Sequence, residues 1–331
     1  MRCGIFKIIE RKKTQTARPE CFPPLVLSAP LGVYRRIAKE NVSKGAEERK
    51  IMICFFDYTL LLVLQGAALL GITAGALGSF ALLRQQSLLG DAISHAALPG
   101  IVLMFLCTHS KNPWILLSGG ALAGIVGVIS MHYVCTRTTL KKDAVLGIIL
   151  SVFFGLGLVL MTVAQKIPTS NQAILNKFLF GNVATLMQQD IIAIAIISFF
   201  IMTILVWCWK ECAMYVFDPV FTHSLGFKPI IIETILTVLL VLTIVIGLQT
   251  VGVVLMSTML IAPAAAARQW VNKLMHMVLL SSLFGCATTV ISVYASSIID
   301  HLPTGPAIVV AASCIVFFSL VCAPQRGVAW R

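Results

Sequence analysis

Charge is scarce in this sequence: 11% of its 331 residues are Asp, Glu, Lys or Arg. A soluble domain keeps about a quarter of its residues charged, so an ordinary water-soluble fold is excluded. None of the ten Cys forms a CxxC pair, and no HExxH occurs, so the usual zinc-site spacings are missing. There is no GxxxxGK[ST] either, which excludes a phosphate-binding loop of that kind. The basic N-terminal stretch "MRCGIFKIIERKKTQ" lacks the apolar core of a signal peptide.

What is present is apolar. Hydrophobic residues make up 58% of the chain, which places it in a membrane. The net charge of +12 does not point to nucleic acid. Twelve of the 25 Lys and Arg lie in the first fifty positions, and the others mostly occupy short gaps between apolar runs. Apolar segments at about 58–83, 88–107, 113–135, 143–163, 187–209, 229–247, 250–268, 276–298 and 304–323 each approach the ~20 residues that span a bilayer core. The predicted fold is therefore all-α, a polytopic transmembrane bundle of eight or nine spanning helices.

The gaps give the orientation. Arg137, Lys141 and Lys142 mark one cytoplasmic loop. Lys210 and Lys228 flank a second, Arg268 and Lys273 a third, and Arg326 and Arg331 put the C-terminus on the same side. By alternation Arg84 is cytoplasmic, and gaps near 108–112, 164–186 and 299–303 face outward. Small-xxx-small spacings at Gly71/Gly75 and Gly120/Gly124, and the neighbours Gly155 and Gly157, predict close helix packing. Cys208 and Cys212 share a helical face, but two thiols make a poor metal site and read as small buried hydrophobes.

One apolar segment carries an unexpected pair. In "LLGDAISHAALPG", Asp91 and His95 stand four residues apart, on one helical face beside Ser94. A charge at mid-bilayer costs roughly 2.5–3.5 kcal/mol on insertion scales, so such residues usually face an aqueous path or a partner. A carboxylate with an imidazole suits Zn²⁺, Mn²⁺ or Fe²⁺. Two ligands hold an ion weakly, as a pathway requires. Pro99 interrupts the helical ladder one turn on and frees a carbonyl. From spacing alone a second reading stands beside the ion path, with Asp91 as a helix cap and His95 bonded to a neighbouring backbone.

The wording of the sequence adds to this. "GSFALLRQQSLLGDAISHAALPGIVLMF", "DAVLGIILSVFFGLGLVL", "KFLFGNV", "FDPVFTHSLGF", "LTIVIGLQTVGVVLMSTMLIAPAAAARQW" and "PTGPAIVV" occur in that order over about 55–325. Together they resemble the membrane permeases of bacterial ABC-type uptake systems for zinc, manganese and iron. The resemblance implies a helical permease related in layout to the cobalamin and siderophore importers. It implies a multi-pass protein of the bacterial cytoplasmic (inner) membrane, paired with a second permease chain, identical or related. A separate cytoplasmic ATP-binding subunit supplies hydrolysis, so this chain is not itself an enzyme, and an extracellular or periplasmic binding protein delivers the metal. No cofactor is held permanently; the divalent ion is cargo, and no nucleic acid is involved.

Carried over residue by residue, Asp91 and His95 match the family's DxxxH and become the transient metal positions. "FDPVFTHSLGF", in the loop at about 210–228, becomes a short helix that docks on the ATPase. Asp218 caps that helix, Gly226 ends it, and Leu225 and Phe227 supply apolar contact. Val220, Thr222 and His223 stand where the family commonly has an acidic residue and Ala-Arg. His301, in "DHLPTGP", departs from the usual acidic wording and is a candidate for assisting the ion at the outer end, or a solvated loop histidine. Glu233 lies near the cytoplasmic end of its helix, where a carboxylate reaches water.

Two other classes compete. A secondary, proton-coupled transporter would use the same pair but typically shows inverted repeats, and none is clear. An intramembrane enzyme would need further ligands or a nucleophile motif. Residues 1–51 stand apart. Residues 1–50 hold twelve Lys and Arg against five acidic residues, a net of +7. The loop pattern puts the start of the first helix outside, against the positive-inside bias. The expected division is therefore a tail at 1–51, disordered or not part of the mature protein, and a permease domain at 52–331. Translation from Met52 would give 280 residues, the extent of the resemblance.

Overall fold

The structure, a computed structural model, describes residues 58–108, 112–166, 181, 188–299 and 303–323. All of these fall within the compact unit Met52–Arg331; the tail at 1–51 lies outside the described residues. The described residues form helices and connecting turns, with no strand among them. In order these are α1 (Tyr58–Leu83), α2 (Ser87–Thr108), α3 (Pro113–Arg137), α4 (Lys142–Gln165) and α5 (Gln188–Trp207). Two short helices follow, α6 (Trp209–Phe217) and α7 (Pro219–Ser224). Then come α8 (Pro229–Thr250), α9 (Val253–Trp270), α10 (Leu274–Ile298) and α11 (Thr304–Cys322). Helices are what lipid permits, because every backbone N–H and C=O must find its partner inside the segment.

All nine predicted apolar segments are helical, and eight are long and apolar enough to cross a membrane. The ninth, α9, is small-residue rich, with Pro263 inside it. Its Ala264, Ala266 and Ala267 are fully buried, so it is read better as a central packing helix than as a lipid-facing span. The gap predicted at 210–228 contains α6 and α7. Charge at Lys210 and Glu211 hid the amphipathic turn that buries Cys212 and Tyr215.

Small residues set the closest approaches. A Cβ on Gly71 would meet the carbonyl of Gly285, and one on Gly75 the carbonyl of Ser281, so α1 and α10 lie almost backbone to backbone. Ser281 Oγ donates to the Gly75 carbonyl across this seam at 2.7 Å. Gly157 gives α4 its approach to Leu98 and Pro99 of α2, whereas Gly155 faces open space and is not the crowded point expected. Gly75→Val is therefore expected to destabilise the bundle by about 1–3 kcal/mol, the usual effect of overpacking. Thermal unfolding in detergent checks this, with Gly155→Val near wild type as the control.

These seams also order the ends of the bundle. Gly71 and Gly75 meet Gly285 and Ser281 in reverse order, so α10 runs antiparallel to α1 and begins where α1 finishes. Gly100 and Gly127 meet Gly119 and Ala96, making α3 antiparallel to α2. Trp209 packs edge-on against Phe80, centroids 5.8 Å apart. Arg84, Arg137, Lys210 and Lys273 thus gather at one end, as the loop charges anticipated.

Candidate metal path and coupling segment

Helix α2 begins at Ser87, so Asp91 lies in its second turn and is not its cap. Asp91 Oδ1 and His95 Nε2 are 3.5 Å apart, with the Asp91 side chain one-third exposed and the His95 side chain 12% exposed. That is long for a direct hydrogen bond. It fits two ligand atoms at ~2.1 Å from one tetrahedral cation, which stand about 3.4 Å from each other. The far edge of the imidazole is fixed by packing. Its ring meets Phe154 of α4 edge to face, centroids 4.5 Å apart at 75°, and its Nδ1 is buried without a hydrogen-bond partner.

Pro99 is buried inside α2 and has no N–H to give the carbonyl four residues back, which is that of His95. Ser94 belongs to the framework, fully buried and donating to the Gly90 carbonyl at 2.7 Å. Among the described residues no group of three or more His, Cys, Asp or Glu gathers to hold a metal.

At the charged end, Asp218 caps α7. Its Oδ1 accepts from the backbone N–H of Val220 at 2.9 Å and of Phe221 at 3.0 Å, and Pro219 occupies the first turn, where its missing N–H is harmless. Thr222 is buried and donates to the Asp218 carbonyl. Gly226 leaves the helix at φ +87, its N–H bonded to the His223 carbonyl. Leu225 and Phe227 are exposed, and so are Phe217, Val220 and Phe221. Val220, read from sequence only as a departure, is the most exposed of these at 79%. Five large apolar side chains on one short polar-capped segment make an adhesive surface.

A second polar cluster was missed. Arg84, its side chain 6% exposed, donates through Nη2 to Glu233 Oε1 at 2.7 Å. The same nitrogen lies 3.5 Å from Tyr215 Oη, and the guanidinium sits over the Tyr215 ring, 5.2 Å from its centroid. Glu233, its side chain 36% exposed, reaches water as expected and is also the counter-ion of Arg84. A lone Arg ending one apolar helix and a lone Glu beginning another, both assigned to the same side, were the available signal. The Cys212 thiol is pushed up to about 12, first by burial, then by Cys208 and Glu211, with Arg84 opposing. It stays protonated and packs as a hydrophobe, as read from sequence. His132 is exposed on α3 and forms no group of three such residues with the pair, and His301 and His109 lie outside the described residues.

Eight apolar helices of membrane-spanning length among the described residues, with a partly buried acid–imidazole pair and a capped, apolar-faced loop, define a multi-pass membrane transport subunit. The chain belongs to the ABC 3 transport family, whose profile matches residues 57–323. It is 44% identical to the zinc transport system membrane protein TroC of Treponema pallidum (strain Nichols), over 85% of this chain and 94% of that one. It is 42% identical to the manganese transport system membrane protein MntC of Bacillus subtilis (strain 168), over 81% of this chain and 61% of that longer relative. Its fold matches the solved structure of PsaBC from Streptococcus pneumoniae in complex with Fab. There the TM-score is 0.75 at 31% identity, over 84% of this chain and 97% of that one.

Proposed function

We propose that this chain is the metal-conducting subunit of an ATP-driven importer in the bacterial cytoplasmic membrane, moving a divalent transition metal (zinc, manganese or iron) into the cytoplasm. The observation that carries this is the Asp91–His95 pair, two ligand atoms 3.5 Å apart on one membrane helix. The relatives named for zinc and manganese transport support it. Two ligands per chain suit a transient site, and a second permease chain, identical or related, brings a second pair to face the first. The carboxylate offsets the ion's charge as it loses water, and the neutral imidazole supplies a borderline donor through Nε2. Phe154 keeps the ring from turning away.

The exposed face of α7 docks on a separate ATP-binding subunit, with Leu225 and Phe227, joined by Val220 and Phe221, as the apolar contact. Asp218 and Gly226 hold its two ends. An extracellular or periplasmic binding protein delivers the ion. A proton-coupled carrier would leave the capped, apolar α7 without a role. Uptake of Mn²⁺, Zn²⁺ and Fe²⁺ into cells that lack the chain, with and without its restoration, tests the reading. ATP-dependent accumulation of at least one ion is expected, and accumulation of none overturns it. Residues 52–331 are proposed to carry transport, so a chain begun at Met52 is expected to restore uptake fully.

A further inference from the structure

Arg84 sits where three parts of the molecule meet. It ends α1 and opens the three-residue turn into α2, so it precedes Asp91 by seven positions. Gln85, next to it, has φ 55, a conformation that non-glycine residues adopt only when their surroundings hold them there. Its two contacts lie on opposite stems of the α7 segment: Tyr215 in the last turn of α6, before it, and Glu233 in the first turns of α8, after it. One guanidinium therefore ties both stems of the exposed loop to the turn that leads into the metal helix.

The cluster is also incomplete. Nη1 of Arg84 is buried without a hydrogen-bond partner, and so is Oε2 of Glu211, one turn before Tyr215 on α6. Both groups act on the same buried sulfur, Glu211 raising and Arg84 lowering the pKa of Cys212. The two charges are thus within electrostatic reach of one thiol, yet no ion pair joins them among the described residues. Leaving a buried donor and a buried acceptor unmade is unfavourable, and a second arrangement that pairs them removes both deficits. A planar guanidinium with five donors is suited to this exchange, because it can release one carboxylate while keeping its seat over the Tyr215 ring.

We propose that Arg84 is the positioning residue that carries motion of α7 to the Asp91–His95 helix, exchanging Glu233 on α8 for Glu211 on α6 as the transporter changes state. This rests on the coupling role of α7 and the metal role of the pair. Movement of α6 relative to α8, driven from α7, changes which carboxylate is nearer. Arg84 follows, and the turn at Gln85 shifts the start of α2. Neither acid touches the ion. Their role is to give Arg84 two seats of comparable energy, since a packed interface switches between arrangements instead of deforming continuously.

The experiment uses the whole transporter with its ATP-binding subunit in proteoliposomes, reading radiolabelled Mn²⁺ or Zn²⁺ uptake and ATP hydrolysis together. Glu233→Gln and Glu211→Gln are each expected to keep the complex assembled and hydrolysing ATP, while ions moved per ATP fall tenfold or more. Arg84→Gln behaves the same way, and Arg84→Lys, which keeps the charge without the fork, recovers part of the ratio. Should Arg84→Gln fail to assemble, the two Glu→Gln variants decide alone. A wild-type ratio in both overturns the proposal, and a wild-type ratio in Glu211→Gln alone overturns the exchange. Asp91→Ala in the same assay separates the layers. Normal uptake there overturns the metal-pair reading, whereas lost uptake there with a normal ratio in Glu233→Gln overturns this inference alone.

Discussion

Asp91→Ala is expected to lower metal uptake by about 100-fold or more while the protein still inserts and assembles. Substituting groups that only support a metal ligand already costs 10–100-fold in metal affinity, and in the proposed path Asp91 supplies a ligand oxygen itself. There it would also supply the negative charge that offsets a divalent ion leaving water. Stability should be nearly unchanged, because the side chain is one-third exposed and its contact with His95 is long. His95→Ala is expected to act in the same direction but to perturb packing more, since the ring is mostly buried against Phe154. The conservative pair separates charge from ligation. Asp91→Asn keeps the shape and an oxygen donor but loses the charge, and His95→Gln keeps a polar donor but loses the imidazole. Uptake at the normal rate in Asp91→Ala, with the complex assembled, would reduce the pair to a structural contact.

Periodicity and loop charge exposed most of the fold. Apolar runs of near-bilayer length were visible because lipid imposes length and composition together, and all are helical. The end of the bundle that gathers Arg84, Arg137, Lys210 and Lys273 was legible from those residues alone. What escaped was tertiary. Nothing in "GITAG" names α10 as its partner, and nothing in "GLGL" says that Gly157 is crowded while Gly155 is open, since both depend on rotation about the helix axis. Helix α6 escaped because Lys210 and Glu211 interrupt its apolar face. The Asp91–His95 pair was legible because an acid and an imidazole stand out against lipid-like sequence. The Arg84–Glu233 pair was not, because its members are 149 positions apart and each alone resembles an ordinary helix-end charge. The exposed apolar surface of α7 was half legible: Leu225 and Phe227 came with the family wording, whereas Val220 and Phe221 emerged only from their exposure.

Gly226→Val is expected to uncouple ATP hydrolysis from transport while leaving the helical bundle folded. A Cβ at this position meets nothing within 4 Å, so no clash with the rest of the protein arises. The whole effect comes from the backbone, held at φ +87, where a β-branched residue is strongly disfavoured and strain is on the order of 1–3 kcal/mol. The segment is exposed on both sides of Gly226 and relieves that strain most easily by changing φ. Doing so breaks the bond from the Gly226 N–H to the His223 carbonyl and re-aims Leu225 and Phe227. The apolar surface proposed to meet the ATP-binding subunit is then misplaced without being removed. A graded series tests this cause, because Asn tolerates positive φ better than Ala, and Ala better than Val. Ions moved per ATP should fall in the order Gly, Asn, Ala, Val, with thermal unfolding of the isolated permease constant across the four. Phe221→Ala provides the contrast: it deletes contact area and leaves the turn intact, so it should weaken binding of the ATP-binding subunit itself. A wild-type ratio in Gly226→Val would mean that the turn does not aim this surface, and a series that tracks side-chain volume in place of tolerance for positive φ would assign the effect to crowding at the docked interface.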